Sequence, residues 1–157
     1  MTHPHLQSGE YLIKNKHSEK VVGRRRPDDP RSGPKGIVVE PYPYPWPNAK
    51  WRLKRLENGN YELQAWGDPV FVFDKLVYAH TSRLDNTEWK ITYREGSAGH
   101  TIMKVSGTGG WVLPNDRTDT QVAFRPLTAS TSHSPRYPSN EIWILEPNRE
   151  QWYTDDT

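Results

Sequence analysis

Gly9-Glu-Tyr11-Leu-Ile13-Lys14, Gly59-Asn-Tyr61-Glu-Leu63-Gln64 and Gly99-His-Thr101-Ile-Met103-Lys104 share one pattern. A glycine is followed two places on by Tyr or Thr, then by an aliphatic residue, then by a long polar one. A second unit, Trp-x-aliphatic, recurs at Trp51-Arg-Leu53, Trp89-Lys-Ile91 and Trp143-Ile-Leu145. Each third of the chain therefore opens on a Gly-led strand and closes on a Trp-led strand, with two strands between. Two separate motifs recurring in the same order are a primary fold signal. Three repeats of four strands describe an all-β chain, a β-trefoil of twelve strands: a six-stranded barrel capped by three hairpins. The repeated Tyr, Leu and Trp are its expected core.

The segments between these units agree. Val21-Val22, Ile37-Val-Val39, Val70-Phe-Val-Phe73, Leu76-Val-Tyr78, Trp111-Val-Leu113 and Val122-Ala-Phe124 are short and rich in β-branched and aromatic residues. Such side chains suit a pleated, half-buried surface. Glu57-Asn58-Gly59-Asn60 is a hairpin signal, since Asn-Gly accepts the positive φ of a tight turn. Asp74-Lys75, between two apolar runs, is a second candidate turn. The chain's 157 residues hold 14 prolines and 11 glycines, which leaves little room for a long helix.

The length suits one domain, placed at residues 1–149, with residues 150–157 as an acidic C-terminal tail. Cysteine is absent, which excludes disulfides, thiolate metal sites and a cysteine nucleophile. No apolar run is long enough to span a membrane. Met1-Thr2-His3-Pro4-His5 has no apolar signal-peptide core, so a cytoplasmic protein is expected. The balance of 21 basic against 19 acidic residues speaks against nucleic acid as a partner.

Enzyme signatures are missing. No His-Glu-x-x-His, Gly-x-Ser-x-Gly or phosphate-binding loop occurs. Gly107-Thr-Gly-Gly110 lacks the following Lys-Ser/Thr and leads into a strand, so it reads as a turn. The six histidines are scattered, and no metal or cofactor is expected. Pro41-Tyr-Pro-Tyr-Pro-Trp-Pro47 reads as a stiff extended connector, and Thr128 to Pro138 as a surface loop. Gln64-Ala65-Trp66 matches the Gln-x-Trp triplet of ricin-like lectins, which makes carbohydrate binding the alternative function. It occurs once, with Lys14 and Lys104 in place of the glutamine in the other thirds.

The distinctive site is the loop from Arg24 to Gly36, between the second and third strands. From Lys14 to Lys35 inclusive there are eight lysines and arginines, opposed only by Glu19, Asp28 and Asp29. Prolines at 27, 30 and 34 lower the entropy of the free loop, so less is lost when it is bound. A stiffened, extended segment presenting arginine suits the deep, acid-floored pocket of trypsin-like proteases. A solvated surface loop and a basic targeting or heparin-type patch are the other readings of the same residues.

Several runs resemble the mushroom β-trefoil serine protease inhibitors of the cospin type. They include Tyr11-Leu-Ile, Val21-Val-Gly23-Arg24, Pro34-Lys35 leading into Ile37-Val-Val39, Asn58-Gly-Asn-Tyr61, Asp74-Lys-Leu-Val77 and Trp89-Lys-Ile-Thr-Tyr-Arg94. The most specific are Gln121-Val-Ala-Phe-Arg-Pro-Leu127 and Tyr137-Pro-Ser-Asn-Glu141. The resemblance runs through nearly the whole chain. It implies a trefoil, no enzyme activity, a monomer, a role in fungal defence, and inhibition through the loop between the second and third strands. By position the protease-binding residues are Arg24, Arg25, Arg26, Pro27 and Asp28, with Arg25 entering the specificity pocket. Arg26 is disfavoured there because Pro27 would follow the cleavage point, which leaves Arg24 and Arg25, with Arg31 as an outside candidate. Gly33 departs from the family, where an aliphatic residue is expected.

Overall fold

A computed structural model describes residues 6–24, 34–40, 50–65, 67–80, 88–117, 120–127 and 136–147. The strands are β1 (Gly9–Asn15), β2 (Val21–Arg24), β3 (Lys35–Val39), β4 (Trp51–Arg55), β5 (Tyr61–Ala65) and β6 (Asp68–Phe73). They continue as β7 (Leu76–Ala79), β8 (Glu88–Arg94), β9 (Gly99–Lys104), β10 (Gly109–Val112), β11 (Ala123–Pro126) and β12 (Trp143–Pro147). Among the described residues, helical structure is confined to single 3₁₀ turns at Glu95–Ser97 and Ser139–Glu141. Each apolar run singled out in the sequence falls in or beside one of these strands.

Antiparallel pairing closes a ring: β1 with β4, β4 with β5, β5 with β8, β8 with β9, β9 with β12, and β12 with β1. A closed ring leaves no exposed sheet edge in the barrel. The pairs β2–β3, β6–β7 and β10–β11 are hairpins. β7 pairs with both β3 and β11, and a bridge between Val38 and Gln121 joins the remaining two. This is the β-trefoil expected from the repeats.

Register turns the barrel interior into three layers. In the layer beside the cap, Trp51, Trp89 and Trp143 pair with Ala65, Lys104 and Asn15. Leu53, Ile91 and Leu145 pair with Leu63, Ile102 and Ile13 in the middle. At the open end Arg55, Tyr93 and Pro147 pair with Tyr61, His100 and Tyr11. Leu6 packs beneath, and Tyr11 Oη donates to the Gln7 carbonyl at 2.6 Å. Burial pushes the Tyr11 hydroxyl pKa up.

The layers correct the third repeat by one residue. The partner of Tyr11 and Tyr61 is His100, not Thr101, and the partner of Ile13 and Leu63 is Ile102, not Met103. Thr101 is buried on the other side of β9, where its Oγ1 accepts from Arg94 Nε at 3.0 Å. The cause is local. Gly59 (φ 89°) supplies the left-handed residue two places before Tyr61, whereas Ala98 (φ 54°) does so before His100. The glycine that marks the repeat, Gly99, therefore stands one place late. Asp74 (φ 51°) and Lys75 (φ 63°) form the two-residue turn expected between β6 and β7.

Trp111 of β10 lies where β2 has Val22 and β6 has Val70, and it fills the cap end. Its ring centroid is 5.6 Å from Trp51, 5.7 Å from Trp89 and 5.7 Å from Trp143, in tilted or edge-on contact. All four indoles are fully buried. Trp51 Nε1 donates to the Val22 carbonyl at 2.9 Å, and Trp143 Nε1 to the Trp111 carbonyl at 3.1 Å. The Trp89 and Trp111 N–H groups find no acceptor among the described residues. Trp111→Ala should lower stability by about 3–5 kcal/mol, the range for a buried Trp→Ala change. A denaturant titration at constant slope measures it.

The β4–β5 turn is clasped to β8 from outside. Glu88 Oε1 accepts from Asn58 Nδ2 at 2.6 Å and Asn60 Nδ2 at 2.8 Å, and these bonds hold the Glu88 pKa below its ordinary value of 4.5. The folded carboxylate is the stronger acid, so its contribution is complete above 4.5 and is lost as pH falls through the lower folded value. Glu88→Gln should lower the thermal midpoint slightly at neutral pH and flatten its decline in that acid window, so that the variant and the parent converge towards pH 3, read by thermal melts from pH 7 down to pH 3.

Candidate functional site

The loop that the sequence singles out emerges from a stem fixed on both limbs. Val22, Gly23 and Arg24 of β2 pair with Val39, Val38 and Ile37 of β3. The Trp51 indole holds the Val22 carbonyl from within the barrel, and Glu40 N–H donates to the Val21 carbonyl at 2.9 Å. The outgoing limb is paired again, with Lys35 opposite Ala79 and Gly36 opposite Tyr78 on β7. Gly36 is required by close approach: a Cβ there would lie 2.8 Å from Gln121 Cδ. The Gln121 amide in turn donates to the Val77 carbonyl at 2.9 Å, so it is not free to move aside.

Arg24 closes the incoming limb. Its Nη1 donates to Asp68 Oδ2, at the start of β6 in the next third of the chain. Both side chains are largely buried, at 14% and 10% exposure. Register explains why. The positions equivalent to Arg24 are Val72 in β6 and Leu113 after β10, an apolar site in both other repeats. An arginine placed there needs a carboxylate, because an unpaired charge is costly at that depth. Asp68 supplies it.

Of the five loop residues chosen from sequence, Arg24 is therefore an anchor of the stem in this structure. Arg25, Arg26, Pro27 and Asp28 lie outside the described residues, as do Arg31, Gly33 and the Pro41–Pro47 run. So do Trp66 of the lectin-like triplet, His3 and His5, most of the 128–138 loop and residues 148–157. Asp68 and Gln121 were missed by sequence reasoning. Asp68 is 44 residues from Arg24 and carries no local signal. Among the described residues no group of three His, Cys, Asp or Glu side chains could hold a metal ion, and no helix is long and apolar enough to cross a membrane.

The described geometry is a β-trefoil with a doubly clamped β2–β3 stem, and the basic segment 25–33 joins its two strands in sequence. The model of the peptidase inhibitor I66 family matches residues 4–147, and the chain belongs to that family. The solved proteinase inhibitor from Coprinopsis cinerea superimposes with a TM-score of 0.81 at 28% identity, covering 91% of this chain and 99% of that one. The lactose-bound ricin B-like lectin of Macrolepiota procera is similar at a TM-score of 0.70 and 15% identity, covering 93% and 100%. The Rhizoctonia solani agglutinin gives 0.69 and 17%, covering 94% and 100%. At such identities the two lectins share the fold alone. No curated protein sequence matches significantly. The chain is thus a protease inhibitor and not an enzyme.

Removing the Arg24 guanidinium leaves Asp68 as a poorly solvated, unpaired carboxylate. Arg24→Ala should cost about 1–3 kcal/mol of stability, the range for an orphaned buried polar group. Arg24→Ala combined with Asp68→Ala should recover part of the loss, which denaturant unfolding of the single and double variants would show.

Proposed function

We propose that the chain inhibits trypsin-like serine proteases through the β2–β3 loop, with Arg25 in the primary specificity pocket. The observation that carries this reading is the Arg24–Asp68 ion pair. It commits the Arg24 guanidinium to the scaffold and makes Arg24 the fixed end of the loop. Arg25 is the next residue in sequence, and Arg26, Pro27 and Asp28 follow as flanking contacts. A guanidinium meeting a buried carboxylate forms charge-assisted hydrogen bonds, roughly twice as strong as neutral ones. The loop acts as a slow substrate, docked as an extended strand beside the catalytic serine while the stem holds its ends. A monomeric, cytoplasmic, defensive inhibitor fits this reading. The lectin alternative rests on the single triplet ending at Trp66, and no described contact favours it.

Truncating an anchor of this kind leaves the protease carboxylate unpaired, at a cost on the order of 2–5 kcal/mol. Arg25→Ala should weaken trypsin inhibition at least tenfold while the thermal midpoint stays constant, and Arg26→Ala should cost less. Inhibition constants against trypsin, chymotrypsin, subtilisin and a papain-like protease test this. Trypsin inhibition that survives Arg25→Ala but is lost in Arg31→Ala would move the site along the loop. Strong glycan-array binding with no protease inhibition would reverse the choice between inhibitor and lectin.

A further inference from the structure

The chain holds a single Asn-Gly step, Asn58-Gly59, in the turn between β4 and β5. At such a step an asparagine side chain is most open to its own backbone, because glycine sets no Cβ beside the nitrogen that would attack it. The surroundings add no shield. Asn58 and Gly59 are exposed, and a Cβ built on Gly59 would meet nothing within 4 Å.

Hydrogen bonds restrain the step instead. Gly59 N–H donates to the Leu56 carbonyl at 3.0 Å, which commits the nitrogen that would attack. Asn58 Oδ1 accepts from the Asn60 N–H at 2.9 Å, and Asn58 Nδ2 donates to Glu88 Oε1 at 2.6 Å. Nucleophile, carbonyl oxygen and leaving nitrogen are each engaged. The first two bonds belong to the turn itself. The third reaches it from β8, and it is charge-assisted, the stronger kind.

We propose that Asn58 is a site of spontaneous deamidation gated by the Glu88 clasp. While the carboxylate holds the side chain, Asn58 Cγ is kept from the Gly59 nitrogen. When the clasp opens, the turn is free to rearrange as a local unit. Hydroxide removes the Gly59 amide proton, and the nitrogen attacks Asn58 Cγ. The Cγ–Nδ2 bond breaks, and Nδ2 takes a proton from water and leaves as ammonia. Water then opens the five-membered imide at either carbonyl, which leaves aspartate or isoaspartate at position 58.

The product cannot rebuild the clasp. Glu62 stands directly opposite Glu88 across β5 and β8, and opposed side chains share a face. Lys54, opposite Glu62 on β4, balances one of these carboxylates. Asn58 and Asn60 balance the other by presenting donors to Glu88. Deamidation replaces one donor with a third carboxylate. The isoaspartate form also adds a backbone carbon to a turn closed by Arg55 opposite Tyr61. The modification therefore loosens the turn in which it occurs.

The test follows position 58 by peptide mapping and mass spectrometry at neutral pH, below the melting transition. The proteins are the parent, Glu88→Ala and Ile37→Val, with the parent unfolded in urea as the unrestrained reference. Glu88→Ala should deamidate roughly three- to tenfold faster than the folded parent. Ile37→Val trims a fully buried side chain of β3, leaves the clasp in place and should keep the parental rate. Equal rates in the parent and Glu88→Ala overturn the gate, as does a folded parent as fast as the unfolded one. An Ile37→Val rate matching Glu88→Ala assigns the effect to general loosening and also overturns it. Asn58→Asp should lower the thermal midpoint, and less so in a Glu88→Gln background, where an amide donates to the new carboxylate. Equal lowering in both backgrounds overturns the proposed loss of the clasp.

Discussion

The axis of a threefold barrel can hold only one side chain, and that constraint organises this molecule. Three equivalent tryptophans close the cap end from the barrel wall, but three rings around an axis leave a hole between them. Trp111 fills it, packed against all three indoles at nearly equal distances. A plug on the axis has to come from one repeat, so the symmetry is broken there and Val22 and Val70 stay small. The two indole N–H bonds that form, from Trp51 and Trp143, also fix where β2 and β10 cross the barrel mouth. The stem of the candidate loop is therefore positioned by the core and not merely attached to it.

The same asymmetry separates the three hairpins into different roles. Register places Arg24, Val72 and Leu113 at one structural position. Two of the three repeats keep that position apolar. The first repeat places an arginine there and meets the cost with Asp68 from the next repeat. The second contracts to a two-residue turn whose last strand residue, Phe73, faces solvent. A repeated scaffold thus supports different surface chemistry in each third, because the barrel layers beneath are satisfied independently of the loops.

Much of this was legible in the sequence, and the exceptions have identifiable causes. The strands were readable because each is a short run of β-branched and aromatic residues between breakers. The Asp74–Lys75 turn was readable from the apolar runs that flank it. The third repeat was misaligned by one residue because Ala98 takes the left-handed conformation that glycine takes at position 59. Trp111 looked like an ordinary strand residue, since no linear pattern marks an axis. Arg24 looked like part of a basic cluster, because charge counting along the chain cannot see Asp68 at a distance of 44 residues. Phe73 ended an apolar run and so carried no sign that it faces solvent.

The doubly clamped stem has a consequence for a loop that a protease does cut. Arg24 and Ile37 are paired across β2 and β3, Arg24 is tied to Asp68, and Lys35 and Gly36 are paired to β7. The two new chain ends would stay tethered to one molecule, because the strands on either side of the cut remain paired in the sheet. Bringing a carboxylate and an amine together in solution costs translational and rotational entropy. When both are tethered, effective concentrations far above any attainable free concentration result. Resealing the bond then competes with release. Hydrolysis in the proposed loop would then be a reversible event within one molecule, and a cut chain would still be a ligand.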